Sequence, residues 1–374
     1  MNLSFYPFPF LCFSLFSILL RLEPVAKLQI VCVHTKRCCA FIRFLCGFLM
    51  NINKFLLCFA LVLVTLNKLS ALGKTKINKF LLCFALVLVT LHMMKLQTKV
   101  EIGKSAIEIK PADRMLFVGS CFADNIGNRF IDNRFKAVVN PYGVMYNPAS
   151  IYHTVSRLPS SLGGDGGRFI AVFTLGTNHV YIEKATGDIV DNCQKRPQRL
   201  FEEKELTVDD CVAYLKKAIG RLRTAADGRE REVAVILTVS PIRYAKYGFH
   251  GSRLSKSTLL LAADVLTKEL EGVEYFPAYE IMNDELRDYR FYEPDMLHPS
   301  AQAVDYIYEQ FKEMFFGEDA KQMEKEWQPI KQALNHRPFN PDSEEYKTFL
   351  AKAKEEERNL LRKWKIEELI TGNW

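Results

Sequence analysis

Hydrophobic positions change their rhythm at about residue 93. Before it they form long unbroken runs; after it they fall into the short runs of strands and the three-to-four spacing of helices. In the second part, Met115–Gly119 (MLFVG) is an apolar run closed by glycine, which predicts a buried strand. Ser120 follows, then Cys121–Phe130 with apolar residues at helical spacing, so the local unit is strand, tight turn, helix. Lys136–Val139 predicts a second strand, ended by the turn-forming Asn140-Pro-Tyr-Gly143, and Asn147-Pro-Ala-Ser150 has the composition of a helix start. Ser160–Gly167 is a Gly- and Ser-rich loop. Phe169–Leu175 and His179–Ile182 predict a β-hairpin, with a further turn at Ala185–Asp188. Val208–Leu222 predicts a helix. Glu232–Val239 (EVAVILTV) is a strand apolar on both faces, as a central parallel strand must be. Ser257–Leu270 predicts an amphipathic helix and Val273–Phe276 a short strand.

Strands alternating with helices predict an α/β fold, a mostly parallel sheet covered on both sides. Sites in such sheets lie beyond the C-terminal strand ends, and Ser120, Gly143 and Ser240 each sit just past one. After residue 317 the chain is highly charged and helical, through Trp327 and again over Ser343–Lys365, with Pro338 and Pro341 between. This predicts two solvated helices packing an apolar stripe on the domain; a partner-binding tail is the rival reading.

Composition separates the first part further. Residues 1–93 hold ten Lys or Arg, a single acid (Glu23) and seven of the ten cysteines. Ile52–Leu66 (INKFLLCFALVLVTL) recurs letter for letter at Ile77–Leu91. Phe55–Leu66 gives only about 18 Å of helix at ~1.5 Å per residue, short of the roughly 20 apolar residues a bilayer needs. The preferred reading is upstream sequence translated from a start set too early, with the working protein beginning at Met93 or Met94 and cytoplasmic. The alternative is a membrane anchor, so membrane contact is expected only if residues 1–93 are translated and retained.

From residue 94 on, 40 basic residues stand against 42 acidic ones, a net charge of −2. Nothing there argues for nucleic acid or an anionic surface as partner. Cys121, Cys193 and Cys211 have neither C-x-x-C spacing nor an even-numbered framework, which argues against a disulfide scaffold or a structural zinc site.

Two strings carry chemistry. Gly119-Ser120-Cys121-Phe122-Ala123 places a serine at a strand-to-helix turn, where free backbone N–H groups and the positive end of the helix dipole favour an oxyanion. Taken alone, such a serine is most often an N-cap. Asp295-Met-Leu-His298 places a carboxylate within reach of one imidazole nitrogen, leaving the other free to take a proton from serine. Serine early, Gly143 after the second strand, and Asp with His late is an order that raises the joint weight of both strings. Cys121 is a rival nucleophile, but one step along a helix turns it about 100° from Ser120. Arg243 and Lys256 are cations that could meet an anionic group on a substrate, with surface or ion-pair roles as the equal alternative.

The string GSCFA at 119–123 resembles the bacterial GSCFA family, itself similar to the SGNH or GDSL-like hydrolases. Further strings look like that family: NPYGVMYNP (140–148), FTLGTNHVYIEKATGDIVDNC (173–193), LTVSPIR (237–243), LSKSTLLLA (254–262) and YFPAYEIMNDELRDYRFYEPDMLHPS (275–300). The resemblance implies a three-layer α/β/α fold with a mostly parallel, flavodoxin-like sheet, an inserted β-hairpin and a helical C-terminal extension. It divides the chain into 1–93, a hydrolase-like domain over 94–317, and the extension over 318–374. It implies Ser120 as nucleophile, His298 as general base and Asp295 as its orienter. The oxyanion would rest on the N–H groups of Ser120 and Gly143. The third SGNH block normally adds an asparagine side chain. The matching strand end is read as Thr-Val-Ser-Pro (238–241), where Ser240 is the nearest donor. Asn178, in Gly176-Thr177-Asn178, matches by letters but falls in the predicted hairpin. Cys121 also lies in the site by this reading. The activity implied is that of an esterase or deacylase on a small-molecule or carbohydrate ester, with no metal or organic cofactor. The alternatives are an acyltransferase using the same serine, or a non-catalytic binding module.

Overall fold

Five strands build the main sheet of the computed structural model, which describes residues 97–159, 168–193, 196–224 and 228–366. The expectations for residues 1–93 and for the Ser160–Gly167 loop lie outside the described residues. The strands are β1 (Arg114–Gly119), β2 (Lys136–Val139), β3 (Phe169–Leu175), β7 (Val233–Val239) and β8 (Val273–Tyr275), all parallel, in the order β2-β1-β3-β7-β8. This is the flavodoxin-like order, in which the chain reverses direction across the sheet beside the first strand.

Alternate side chains of these strands feed two cores. Leu116, Val118, Ala171, Phe173, Val235 and Leu237 pack on one face against α2 (Pro148–Arg157), α3 (Val208–Arg223) and α4 (Gly248–Glu269). Met115, Phe117, Ile170, Val172 and Ile236 pack on the other against α1 (Cys121–Asp132) and α5 (Ala301–Phe315). Strands wetted on neither face must be apolar at both parities, which is why β3 and β7 read as continuous hydrophobic runs. Phe130 anchors the second core, with Phe117, Phe135, Tyr308, Phe311 and Phe316 around it.

The hairpin expected over 169–182 does not form. Phe169–Leu175 lies between β1 and β7 in the main sheet, with Thr174 level with Gly119 and with Thr238. The chain then leaves the sheet through Gly176-Thr177-Asn178. β4 (His179–Glu183) pairs antiparallel with β5 (Ile189–Val190) and β6 (Phe201–Glu205) in a separate three-stranded sheet. The antiparallel insertion therefore starts at His179, after the strand end rather than around it.

Two charged helices close the described chain: α6 (Glu318–Leu334) and α7 (Glu344–Lys363). Trp327, Ile330 and Leu360 pack together between them. Trp327 donates its Nε1–H to Asp132 O (2.8 Å), and Arg134 pairs with Glu357 (2.6 Å), tying both helices to the C-terminal end of α1. Among the described residues no helix is long and apolar enough to cross a membrane.

Candidate active site

The turn between β1 and α1 is shaped by glycine. Gly119 sits at φ +149, and a Cβ there would lie 2.2 Å from Thr174 O on the neighbouring strand. Its N–H, turned away from that strand, is taken by Asn140 Oδ1 (2.9 Å), and Asn140 in turn donates to Asp124 Oδ1 (2.7 Å). Ser120 follows as N-cap of α1: its Oγ accepts from Phe122 N (3.3 Å) and lies 3.2 Å from Thr174 Oγ1. The residue is 2% exposed.

Asp295 and His298 form a self-contained unit on the loop before α5. Asp295 Oδ1 accepts the N–H groups of Leu297 (2.8 Å) and His298 (3.0 Å), and Oδ2 lies 2.6 Å from His298 Nδ1. The two amides and the imidazole hold the Asp295 carboxyl down at about 2, so it stays ionised throughout the neutral range. The loop is tight. Glu293 N donates to His298 O, Met296 N to Glu293 O, and Tyr292 bridges Pro299. Arg243, just beyond the end of β7, fixes the loop to the sheet through its N–H on Leu297 O (3.0 Å) and its guanidinium on Met296 O (3.1 Å).

This geometry makes a specific prediction for Asp295→Asn. The two amides require an oxygen at the Oδ1 position, so the asparagine NH₂ must face Nδ1. The imidazole then carries its proton on Nε2 and has no lone pair there for serine. We expect kcat to fall about 10²- to 10⁴-fold with the fold unchanged, measured by steady-state kinetics and circular dichroism. Activity within a few-fold of wild type would remove His298 from the role of base.

Ser120 and His298 are not hydrogen-bonded to each other. Ser120 Oγ lies 3.2 Å from Thr174 Oγ1, where either hydroxyl can donate, and His298 Nε2 has no hydrogen-bond partner among the described residues. A working dyad requires the Ser120 hydroxyl to present its proton to His298 and the half-exposed His298 to meet it; catalytic hydrogen bonds are often long or unmade without substrate.

The expected oxyanion donors need correction. Ser120 N donates to Thr174 O (3.1 Å), continuing the β1–β3 ladder by one bond, and Gly143 N donates to Asn140 O (2.8 Å), closing the Asn140–Gly143 turn. Both amides are spent. The Cys121 amide, at the first position of α1, has no partner among the described residues, as helix geometry dictates for that position. Ser240 is buried at the end of β7, its Oγ 3.4 Å from Ile242 N. Since β3 lies between β1 and β7, its backbone is two strand spacings from that of Ser120, roughly 10 Å. The strand end adjoining Ser120 is that of β3, so Gly176-Thr177-Asn178 occupies the place given to 238–241. Asn178 is buried, donates Nδ2–H to Leu206 O (2.8 Å), and leaves its Oδ1 unpartnered.

Cys121 points elsewhere than Ser120: its Sγ lies 3.8 Å from Tyr146 Oη. Burial, and then the thiol beside it, push the Tyr146 phenol up to about 12. Sequence reading missed Asn140 and Thr174, the two groups that fix the Gly119-Ser120 turn. Asn140-Pro at a strand end was read only as a turn, and Thr174 was assigned to a hairpin. Lys256, read as meeting a substrate anion or as a surface or ion-pair residue, is buried on α4. Among the described residues no three His, Cys, Asp or Glu side chains gather as metal ligands.

The parallel sheet thus carries a serine at the end of its first strand, and a paired Asp and His precede α5. The chain belongs to the GSCFA family: the model of that family matches residues 114–162 and 168–311, and the model described as the C-terminal domain of GSCFA domain proteins matches 327–369. No curated protein matches the chain. Among solved structures, a candidate platelet activating factor from Streptococcus pneumonia is similar at 14% identity and TM-score 0.35, over 55% of this chain and 84% of that one. An acetyl esterase mutant with acetate ion is similar at 13% identity and TM-score 0.32, over 57% and 98%. A carbohydrate esterase family 3 protein from Talaromyces cellulolyticus is similar at 11% identity and TM-score 0.29, over 59% and 98%.

Proposed function

We propose that the protein is a serine esterase or deacylase acting through Ser120, His298 and Asp295. The observation that carries this reading is the Asp295 carboxylate. Held by two backbone amides and set 2.6 Å from Nδ1, it fixes the tautomer that leaves His298 Nε2 free as a base.

In this reading His298 Nε2 takes the Ser120 proton as Oγ bonds to the ester carbonyl carbon. The oxyanion is met by the Cys121 N–H at the start of α1, where the helix dipole also favours negative charge. Collapse breaks the bond to the alcohol, which leaves with the proton from His298. Water, deprotonated by the same nitrogen, then releases the acyl group and restores Ser120. An acylated carbohydrate is the substrate class proposed.

A fluorophosphonate probe tests the reading. Covalent labelling mapped to Ser120, and ester hydrolysis blocked by it, are expected. Absence of labelling would favour a non-catalytic binding module, and product diverted to added alcohol would favour the transferase.

A further inference from the structure

Helix α4 carries Ser255 and Lys256 side by side in the run Leu254-Ser-Lys-Ser257, to which the reaction above gives no task. Both side chains are buried, Lys256 to 3% exposure. Lys256 Nζ donates to Gly176 O (2.7 Å) and Ser240 O (2.8 Å), the first carbonyls beyond the ends of β3 and β7. Ser255 Oγ accepts the N–H of Asn178 (3.0 Å) and lies 3.0 Å from Thr177 Oγ1. Two adjacent side chains thus hold three consecutive residues, 176 to 178. The turn is fixed from its other side as well, because Gly176 N and Thr177 N both donate to Tyr146 O. It also touches the nucleophile: a Cβ built on Gly176 would lie 3.5 Å from Ser120 Cβ.

Support alone would not call for a charge. A neutral donor would satisfy the same two carbonyls without stripping an ammonium of its water. Among the described residues no acidic group offsets the cost at Lys256; burial pulls the ammonium down to about 7. What the protonated amine adds is positive charge behind the turn that packs on Ser120, and in the esterase reading negative charge develops beside Ser120 in the transition state.

We infer that Lys256 is a positioning residue of this site, locking the Gly176–Asn178 turn against Ser120 together with Ser255 and lending its charge to that side of the oxyanion. The inference rests on the esterase reading. Lys256 makes and breaks no bond and takes no part in the proton transfers between Ser120 and His298.

The test uses Lys256→Met and Ser255→Ala in the full chain. Competent sites are counted by fluorophosphonate titration, and kcat per labelled site and KM are measured on 4-nitrophenyl acetate. Lys256→Met is expected to lower kcat per labelled site about 10- to 100-fold with KM within about threefold. Ser255→Ala, which loosens the turn but keeps the charge, is expected to lower it about 3- to 10-fold. A purely structural role would instead reduce the number of competent sites and leave kcat per remaining site at the wild-type value; that result overturns the inference. Should Lys256→Met not fold, Ser255→Ala decides by the same criterion. Wild-type protein that is not labelled at Ser120 would bring down the esterase reading and this inference with it. A labelled wild type with unaltered kcat in both variants sinks the inference alone.

Discussion

Ser120→Ala is expected to lower ester turnover about 10⁴-fold or more, the largest effect of any single substitution in the protein. Removing the hydroxyl removes the atom that bonds to the acyl carbon, and no other side chain takes over. The neighbouring thiol is a stronger nucleophile when ionised, but its Sγ faces Tyr146 Oη at 3.8 Å rather than Thr174. Stability should barely change. The variant loses one N-cap bond to Phe122 N, worth about 1 kcal/mol, and one contact with Thr174. Cys121→Ala, which keeps the backbone amide assigned to the oxyanion, should retain turnover within about threefold. Both variants are to be assayed on an activated ester, with thermal melts in parallel. Activity lost only in the cysteine variant would transfer the role of nucleophile to Cys121.

The legible and illegible parts of this chain divide along a physical line. Contacts made within a few residues could be read. Gly119-Ser120 at a strand-to-helix turn and Asp295 three residues before His298 are local arrangements, and local geometry leaves few alternatives. Partners distant in sequence could not be read. Phe169–Leu175 lies so close to His179–Ile182 that a hairpin was the natural expectation, yet every residue of the first run is buried. That uniform burial reflects a place between two parallel strands, and periodicity does not distinguish it from a short buried hairpin strand. Misplacing β3 had consequences at the site. It set Ser240 ahead of Asn178 as the oxyanion donor beside Ser120 and left Thr174 out of consideration. The spent amide of Ser120 was hidden for the same reason, since its carbonyl partner lies on β3, whereas that of Gly143 bonds within the turn the sequence predicts. The burial of Lys256 could not be read because a lysine is ordinarily solvated, and it follows from how α4 lies across the ends of β3 and β7.

Gly119→Ala should be the most damaging small change to the fold, costing about 3–5 kcal/mol of stability. The added methyl would stand 2.2 Å from Thr174 O, 2.4 Å from Thr174 Oγ1 and 2.8 Å from Thr174 N, at a φ of +149. Two of those three atoms are backbone in the central strand and cannot swing aside, so β1 must separate from β3. That separation breaks the bond from Ser120 N to Thr174 O and shifts the nucleophile, so labelling of Ser120 should be lost along with stability. Gly143→Ala is the informative comparison. Gly143 also has positive φ, at +88, but nothing lies within 4 Å of its missing Cβ. Its substitution should cost only the backbone strain, about 1 kcal/mol, and should leave the turn bond to Asn140 in place. Urea unfolding of both variants separates crowding from strain. Equal losses at the two positions would mean that the close approach of β3 to Gly119 does not govern the nucleophile turn.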